Sequence, residues 1–455
     1  MSPQYRSAYP KNLIPMGMQT GISDGYLKTM NGVDEFSNTS AIDRGGIAWN
    51  GKHYRVIGNQ LCTVSRTGAI DELGAVGNDD KKVTMDYSVD RLAVRSGVDL
   101  YYWHAGSLTK VTDTNLGDVI DFVFIDGYFM TTDGTYIIVT ELNNPTQVDP
   151  AKYGASEIDP DPVLGLIRIS GDVFTLNRYT IEAFENTGGS GFPFSRVNGA
   201  TINKGIVSTQ AKCPAADTFF FVGGGRGEEI GVYVAGPGRA DKVSTIEIDK
   251  VLNSLTESQQ AGIELESRIF NGIEVVYIHT PIGTYCYNIT ATLALKQPTW
   301  FSLHSDQGAS GKYKLRNWTL AYGQWICGDT SNSRLGVEVD SPQHFGSNVG
   351  WEFSTSFLYN KGRGAIVKEL ELVGLPGSTP LGSEDPSIFH SYSNDGKTWS
   401  VERAKSGGTR GGYLKRMLWQ MNGMMRNFRV FKFRCVSDTP LSFSILRAEM
   451  EPLNA

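Results

Sequence analysis

The feature that most constrains this sequence is a β-hairpin pattern that recurs along most of the chain. In each copy a turn precedes a short β-rich run, and a second turn leads into a returning run. The opening turns are marked by Gly51, Asp90, Gly127, Gly171, Asp217, Gly272 and Gly323. Successive markers lie 39, 37, 44, 46, 55 and 51 residues apart, which is close to the roughly 40–50 residues of a four-stranded propeller blade.

The runs themselves are typical of short, well-buried strands. The first strands read KHYRVI, RLAVRS, YFMTT, DVFTL, TFFFV, IEVVYIH and QWIC, and the returning strands read QLCTV, LYYW, YIIVT, TIEAF, GVYVAG, TYCYNI and RLGVEV. A small sheet with two apolar faces can bury both only between neighbours around an axis. The sequence therefore predicts an all-β fold, with a β-propeller of six or seven blades over residues 25–340. A tandem β-sandwich stays open as the alternative, because the repeat lengths vary and no WD or kelch signature is present.

Three further regions flank or interrupt the repeat. Residues 1–24 are predicted to form an N-terminal arm with few charges; ordering of this arm on a partner and a merely frayed terminus are both open interpretations. A short helical insertion is expected near 248–263, where Thr256 and Gln259 have the spacing of a capping box. After residue 340 the repeat stops, and KELELVG, SIFHSYS and FRVFKFRCV have the composition of strands. We therefore place a C-terminal β-sandwich domain at residues 345–455.

Composition excludes several classes of protein. The chain has 455 residues, 52 of them Gly, and a formal net charge of -6, which argues against a protein whose whole surface binds nucleic acid. Its five cysteines are widely spaced and form no C-x-x-C pair, so they are predicted to be free, buried thiols made in a reducing compartment. No run of 18 apolar residues occurs and the first 15 residues lack a continuous apolar stretch, so neither a secretory signal nor a membrane anchor is predicted.

Short motifs with catalytic or phosphate-binding letters lack the flanking structure that their chemistry needs. Residues 21–25 spell a nucleophile elbow, but no buried strand precedes them and no helix follows. Residues 223–227 are rich in Gly but lie between two β-runs, so they are predicted as a hairpin tip without a phosphate-binding helix. The six histidines include no pair three or four residues apart. No catalytic residue, cofactor or metal site is predicted.

One turn resembles a sugar-enzyme element. The segment Ser393–Trp399 is similar to the Asp-box turn of sialidases and other propellers, in which Asp and Gly shape a hairpin and Trp packs beneath it. In those enzymes the box is structural, so the match predicts a turn without catalysis. A sugar site on the same turn is the alternative.

One charge asymmetry indicates an interface. Residues 401–434 include nine basic residues and one acidic residue, Glu402. The segment therefore carries a charge of +8, and the rest of the chain carries -14. The candidate contact residues are Arg403, Lys405, Arg410, Lys415, Arg416, Arg426, Arg429, Lys432 and Arg434. Aromatic and Met side chains lie between them, which suits an acidic protein partner or a phosphate backbone. Simple strand alternation, with basic residues outside and apolar residues inside, is the competing interpretation.

Longer segments resemble a known family, in the same order along about four fifths of the chain. They are YPKNLIPM, SDGYLKTMNGV, KGIVSTQAKCPAADTFFFV, STIEIDKVLNSLTESQQAGIELES, VVYIHTP, SYSNDGKTWS and RMLWQMNGMMRNFRVFKFRCVSDTPLSFS. Together they are similar to the tail hub, or packaged-DNA stabilisation protein, of short-tailed lambdoid phages. The resemblance is weakest over residues 59–161.

The resemblance implies a structural virion protein without catalysis, made in the host cytoplasm and built into the phage tail. Members of this family assemble as a six-fold ring, a homo-hexamer, below the portal and its adaptor ring. They close the DNA exit channel after packaging, carry tailspike trimers and receive the tail needle. For the basic segment the resemblance implies contact with an acidic face of the adaptor, with double-stranded DNA in the lumen as the second candidate.

A different class of function competes with the hub. Ser393–Trp399 and the 49 aromatic residues also fit a carbohydrate-binding or glycoside-processing propeller of a phage tail. A glycosidase needs two carboxylates that face one cleft. The Asp-box-like turn occurs once, outside the repeat, and no acidic position recurs at equivalent points of the hairpins. The structural hub is therefore the preferred prediction.

Overall fold

The computed structural model describes residues 9–17, 25–142, 144–189 and 191–453, and most of them are in β-strands. The chain forms two compact units. The propeller unit comprises Glu35–Pro281 and Lys314–Val337, and the sandwich unit comprises Met1–Asp34, Ile282–Tyr313 and Glu338–Ala455. The domain limits predicted from the sequence, 1–24, 25–340 and 345–455, stay predictions.

The strands are short and follow one another closely. The first are β1 (Leu13–Gly17), β2 (Gly25–Thr29), β3 (Gly32–Asn38), β4 (Asp43–Trp49), β5 (Lys52–Ile57), β6 (Gln60–Val64), β7 (Ile70–Ala75), β8 (Thr84–Tyr87), β9 (Arg91–Ser96), β10 (Asp99–His104), β11 (Ser107–Lys110), β12 (Asp121–Ile125), β13 (Tyr128–Thr132) and β14 (Tyr136–Glu141). Next come β15 (Asn144–Ala155), β16 (Val163–Ile169), β17 (Asp172–Asn177), β18 (Ile181–Asn186), β19 (Phe194–Arg196), β20 (Gly205–Ile206), β21 (Lys212–Ala215), β22 (Thr218–Gly224), β23 (Gly231–Gly236), β24 (Arg239–Lys242), β25 (Glu264–Phe270), β26 (Ile273–Thr280), β27 (Gly283–Asn288) and β28 (Trp300–Leu303). The last are β29 (Leu315–Ala321), β30 (Gln324–Asp329), β31 (Arg334–Val339), β32 (Gln343–His344), β33 (Ser347–Asn348), β34 (Gly350–Ser354), β35 (Leu358–Tyr359), β36 (Ala365–Gly374), β37 (Ser387–Ser393), β38 (Arg403–Ser406), β39 (Met417–Gln420), β40 (Met424–Met425), β41 (Phe428–Val436) and β42 (Ser442–Pro452).

In the propeller unit the described strands form seven sheets around one axis. Five sheets are complete in themselves, namely β4–β7, β8–β11, β12–β15, β16–β19 and β20–β24. A sixth begins with the β25–β26 hairpin, and a seventh contains β29, β30, β31 and β3. The innermost strands β4, β8, β12, β16, β21, β25 and β29 each contact the next, and β29 contacts β4. This closed ring is the arrangement of propeller blades and is consistent with the six or seven predicted.

The predicted hairpins are the central strand pairs of the sheets. Antiparallel pairing joins β5 to β6, β9 to β10, β13 to β14, β17 to β18, β22 to β23 and β30 to β31. These central strands pack between neighbouring sheets, so most of their side chains are buried on both faces. In β22, for example, Phe219, Phe220, Phe221 and Val222 are all buried. The pattern therefore identified the blade centres because both faces of those strands are covered.

The seventh sheet combines strands from both ends of the propeller sequence. In it β31 is followed by β3, which comes from near the start of the chain. The amide of Thr39 donates to the carbonyl of Ser333 at 2.9 Å. Hydrogen bonds between distant parts of the chain in this sheet tie the ring closed.

The helices differ from the single insertion predicted near 248–263. Two short helices occupy that region, α1 (Ile246–Asn253) and α2 (Glu257–Gln260). The capping box at Thr256 is confirmed, since Thr256 and Gln259 exchange side-chain and backbone hydrogen bonds. A third helix, α3 (Ile289–Leu295), was not predicted from its β-branched sequence, and a 3-10 turn lies at Thr114–Leu116.

The sandwich unit has two sheets with a shared apolar core. One sheet has the order β1-β2-β42-β36-β39 with β40 beside β36, and the other has the order β34-β41-β37-β38 with β35 beside β41. The core between them includes Trp351, Leu370, Trp419, Phe433 and Phe443. The unit also holds the antiparallel pair β27–β28, whose strands are joined through α3, and the β32–β33 hairpin. The predicted fold class, all-β with a propeller followed by a sandwich, is confirmed.

Part of the predicted N-terminal arm belongs to the sandwich. Within the arm, residues 9–17 are described, and Leu13 is fully buried in the core. Strand β1 pairs with β2, and the Lys11 amide donates to the Glu352 carbonyl at 2.8 Å. Residues 1–8 and 18–24 lie outside the described residues, and so does most of the nucleophile-elbow motif at 21–25.

Candidate partner interface

The basic segment 401–434 contributes strands to both sheets of the sandwich. Strands β38 and β41 belong to one sheet, and β39 and β40 belong to the other. In β41 the side chains of Phe431 and Phe433 are buried, whereas Lys432 and Arg434 reach the surface. In β39 Trp419 is fully buried. Over these residues the charge pattern is therefore ordinary strand alternation.

Arg429 is a buried structural residue. Its guanidinium donates to the carbonyls of Asn422 at 2.5 Å and Met424 at 2.7 Å, and to Asn394 Oδ1 at 2.9 Å. It lies 4.0 Å from the centroid of the Tyr392 ring. Burial lowers the pKa of Arg429. No surface of this side chain is left for a partner, although the sequence made it a candidate contact.

Arg434 and Arg416 are neutralised within the sandwich. Arg434 binds both carboxylate oxygens of Glu402, at 2.7 and 2.5 Å, and Arg416 binds both of Glu371, at 2.6 and 3.0 Å. The hydrogen bonds from the guanidinium groups lower the pKa of Glu402 and of Glu371. Such exposed pairs add little to stability, because water and salt screen them, but they cancel two of the charges that a partner would meet.

Arg403 and Lys432 have partners of another kind. The Arg403 guanidinium donates to the carbonyl oxygens of Met421 at 3.0 Å and Gln420 at 2.5 Å. The Lys432 ammonium lies 4.4 Å from the centroid of the Trp399 ring, within the range of a cation–π contact, and 3.9 Å from Glu352 Oε2. Both side chains are therefore held in place by other groups of the sandwich.

Four of the nine predicted residues remain as open contacts. Lys405, Arg410, Lys415 and Arg426 are exposed, and none of them forms an ion pair with another described residue. We call them the free basic residues. Of the predicted contact residues, these four are the ones whose charged groups are exposed to solvent and without an ion pair among the described residues.

Arg410 and Lys415 flank a loop that exposes apolar side chains. Tyr413 is 70% exposed and Leu414 is 97% exposed. Beside them lies an open groove of about 720 Å³, which Asp385 also lines. An aromatic and an aliphatic side chain between two cations are typical of the centre of a protein–protein contact. Leu414 was not among the predicted contact residues. Its position beside Gly411 and Gly412, between two cations, indicates an exposed loop residue.

The Asp-box-like turn satisfies its own polar groups. Asp395 Oδ1 accepts from the amides of Lys397 and Thr398, both at 2.7 Å, and Oδ2 accepts from the Thr398 hydroxyl at 2.6 Å. The Thr398 hydroxyl and these amides hold the pKa of Asp395 well below its usual range. The Trp399 ring is engaged by Lys432. The carboxylate that a sugar would need is therefore engaged within the protein, whereas the Trp399 ring is still 39% exposed.

Side chains from opposite blades meet at the propeller axis. Gln210, just before β21 of the fifth sheet, donates from Nε2 to Thr84 Oγ1 in β8 of the second sheet at 3.3 Å. Lys212 in the fifth sheet binds Asp121 in the third at 2.6 Å. The Thr84 hydroxyl donates to the same Asp121 carboxylate at 2.9 Å. At this level the axis is crossed by hydrogen-bonded side chains.

A buried ion pair joins the first two strands of the first sheet. Arg55 donates from Nε and Nη2 to the two carboxylate oxygens of Asp43, each at 2.7 Å. The Asn317 side-chain amide also donates to Asp43, at 2.8 Å. Both charged side chains are buried, so the pair has a structural role.

Glu266 is likewise buried, and both of its carboxylate oxygens have hydrogen-bond partners. It lies 2.6 Å from His279 Nε2 and accepts the Trp318 amide at 3.0 Å. Burial alone would raise the pKa of Glu266, but Lys82, His279 and the Trp318 amide hold it at about 2. A carboxylate that stays charged and enclosed cannot act as the general acid of a glycosidase.

Other kinds of site find little support in the part of the chain that the structure describes. There, no three His, Cys, Asp or Glu side chains are placed to hold a metal ion. The five cysteines are buried and unpaired, as predicted, and burial raises the pKa of Cys62 to about 12. Of the helices in the described ranges, none has the length and apolar character to span a bilayer.

Comparison with known proteins gives two matching families in chain order. Residues 1–341 match the family described as Bacteriophage P22 Gp10, beta-propeller, and residues 350–451 match Bacteriophage P22 Gp10, beta-sandwich. Tail hub protein gp10 of Salmonella phage P22 is 26% identical over 465 aligned residues, which cover 98% of this chain and 96% of the relative.

Solved structures with distant sequences are also similar. The WD40 domain of Neurospora crassa Pan2 is 8% identical, with a TM-score of 0.42 over 71% of this chain and 97% of that one. The extracellular domain of the two-component protein BT4673 from B. thetaiotaomicron is 9% identical, with a TM-score of 0.46 over 83% of this chain and 47% of that one. Both TM-scores are below 0.5, so these neighbours carry no argument about function.

Proposed function

This chain belongs to the bacteriophage P22 Gp10 family, and from this premise we propose that it is a hexameric tail hub that closes the DNA channel of a phage. It is a structural protein of the phage tail and not an enzyme. In the proposed assembly it joins the portal-adaptor ring to tailspike trimers and the tail needle and retains the packaged genome. The correspondence with the P22 tail hub over 98% of this chain and 96% of the relative carries the proposal.

A ring of identical subunits needs head-to-tail contacts between two different surfaces of the chain. The unequal charge distribution favours such an arrangement, because the segment 401–434 carries +8 and the rest of the chain -14. The rigid blades offer side faces for these contacts. In this proposal the DNA channel is the lumen of the ring, since side chains cross the axis of the single propeller.

For the free basic residues we favour an acidic face of the adaptor over DNA. Tyr413 and Leu414 are exposed between Arg410 and Lys415, and an exposed Leu has no counterpart in a phosphate backbone. Desolvating an aromatic and an aliphatic side chain contributes to binding a protein surface. Double-stranded DNA in the lumen remains the second candidate for Lys405 and Arg426.

The proposed hub is tested first by DNA retention. Phage heads assembled with the gene disrupted should fill with DNA and then lose it after lysis, and tailspikes should fail to attach. Heads that stay full while only adsorption to cells is lost would refute DNA retention. They would point instead to a receptor-binding part of the tail.

The interface is tested by charge removal with a matched control. The triple variant Arg410→Gln, Lys415→Gln, Arg426→Gln should weaken binding to adaptor-bearing heads and reduce its dependence on salt, because exposed charges act through screened attraction. Arg416→Gln is the control, since that charge is already paired with Glu371. If the triple variant binds as tightly as the parent and with the same salt dependence, the adaptor assignment is wrong.

A further inference from the structure

Among the described residues, no strand pairs with the greater part of one edge of strand β42. On one side it pairs with β36 from Phe443 to Pro452. On the other side β2 pairs with it only at Ser442 and Phe443. Within the described ranges, no other strand and no backbone hydrogen bond reaches the outer edge of residues 444–452. Since backbone groups of a strand alternate in direction, about half of those in this stretch point away from β36 without a strand to accept them.

The same edge carries an uncovered apolar row. Directly opposite residues of two paired strands point to the same face, and the register places Leu446 opposite Leu372, Ala448 opposite Leu370 and Met450 opposite Val367. The β36 residues of these pairs are buried in the core. Ala448 is nevertheless exposed and Met450 is 37% exposed. These two side chains face the core side of the sheet, yet the described residues leave both of them exposed.

An apolar groove opens where β2 leaves β42. Its volume is about 290 Å³, and its lining includes Leu27, Leu295, Phe353, Phe443 and Leu446. All of these residues belong to the sandwich unit. The groove and the apolar row are continuous along β42, because Leu446 belongs to both.

The opposite face of this edge carries more acidic than basic side chains. Glu449 lies directly opposite Glu369 of β36, and Glu451 follows on the same face. Arg447, opposite Glu371, is the cation that β42 itself contributes to this face. Lys368 pairs with Glu451 at 2.9 Å, and Gln420 donates to Glu369 at 3.1 Å. Two like charges directly opposite each other on paired strands are unfavourable, so a cation placed beside Glu449 would be attracted to this face.

We propose that the outer edge of β42 binds an extended peptide segment in which apolar side chains alternate with basic ones. The segment adds as a further strand beside residues 444–452 and satisfies the outward backbone groups. Its apolar side chains lie over Ala448 and Met450 and enter the groove, and its basic side chains lie beside Glu449. Backbone pairing supplies affinity and the alternate side-chain sites supply specificity. The proposal goes beyond the hub's assembly role and does not depend on it.

A synthetic peptide tests this on the full-length chain. The probe is an end-blocked peptide of about nine residues that alternates Lys and Val, long enough to pair with the free edge. Its control has the same sequence with every backbone amide N-methylated, which keeps the charges and side chains but removes the hydrogen-bond donors of both edges. We expect the unmodified peptide to bind at least about tenfold more tightly and to slow amide exchange in residues 444–452. Equal binding of the two peptides, no binding, or slowed exchange elsewhere would overturn the proposal.

Two variants locate the site. Met450→Glu should weaken binding about tenfold, because a carboxylate replaces apolar contact area, even though the added negative charge attracts a basic peptide. Leu381→Glu makes the same kind of change at another exposed apolar residue of the sandwich, which is 86% exposed, and should leave affinity unchanged. Thermal unfolding checks that both variants are folded. Equal loss in both variants, or exchange protection that grows with protein concentration before peptide is added, would refute a peptide site and indicate self-association.

Discussion

Replacing Asp43 by Asn should strongly destabilise the propeller unit. The Asp43 carboxylate accepts two hydrogen bonds from Arg55, each 2.7 Å long, and one from Asn317 at 2.8 Å. Asn has nearly the same shape, so the packing is kept. Its amide nitrogen cannot accept a hydrogen bond, however, and the buried guanidinium loses its counter-charge.

The size of the effect follows from this burial. Removing one partner of a buried ion pair costs about 3–5 kcal/mol, because the remaining charge is left uncompensated. The Arg55 side chain is completely buried, so solvent cannot replace the carboxylate. In a unit of this size each kcal/mol lowers the unfolding midpoint by about 2 °C. We therefore expect the midpoint of the propeller unit to fall by about 6–10 °C.

Thermal and urea unfolding, followed by circular dichroism and tryptophan fluorescence, measure this change. The matched control is Asp241→Asn, which breaks an exposed pair with Arg239 at 3.3 Å and should change the free energy of unfolding by less than about 0.5 kcal/mol. A loss for Asp43→Asn no larger than that of the control would refute the reasoning. It would mean that water reaches the Arg55 guanidinium.

Three further predictions concern other buried groups. The pKa of Glu266 is about 2 in the folded protein, against an ordinary 4.5. The stabilisation by its carboxylate is therefore complete above about pH 5 and is lost as the pH falls toward 2. Glu266→Gln should make stability depend less on pH in this range, and an unchanged dependence would contradict the prediction. At Gly223 an added Cβ would lie 1.6 Å from the Gly205 carbonyl oxygen, so Gly223→Ala should cost about 1–3 kcal/mol, whereas Gly171→Ala, with nothing within 4 Å, should be nearly neutral in the same denaturation assay. The five thiols are buried, so a thiol reagent should label them only as fast as the protein unfolds; a rapid first phase would show that one is accessible.

The sequence predicted strands best where both faces are covered. The run TFFFV became β22 because all its apolar side chains are buried. The outermost strands β11 and β24, with sequences SLTK and RADK, are largely exposed, so no apolar pattern marks them and only the spacing of the repeat implied them. Helix α3 was missed because its sequence, ITATLAL, is rich in β-branched residues. Asn288 nevertheless caps it by accepting the Ala291 amide at 2.9 Å.

The basic segment shows what composition can and cannot predict about a site. Its charge is evident from the sequence, but the partner of Arg434 is 32 residues away and that of Arg416 is 45 residues away, so only the fold reveals which charges are cancelled. The burial of Arg429 was predictable in principle. It has the same parity in β41 as Phe431 and Phe433, which face the core, and a strict alternation places it inside with them.

The crossed propeller axis decides where the proposed hub would hold DNA. Gln210 and Thr84 come from opposite blades and meet at 3.3 Å, whereas the major groove of a duplex alone is about 12 Å wide. A duplex therefore cannot run along this axis while the blades are folded, so in the proposed hub the DNA would lie between copies of the chain. Lys212→Gln, which removes the cation bound to Asp121, should consequently lower the unfolding midpoint of the propeller unit without increasing leakage from filled heads. Heads that leak although the variant unfolds at the parental temperature would show instead that DNA contacts the propeller axis. The conclusion that the duplex lies outside the single propeller would then be wrong.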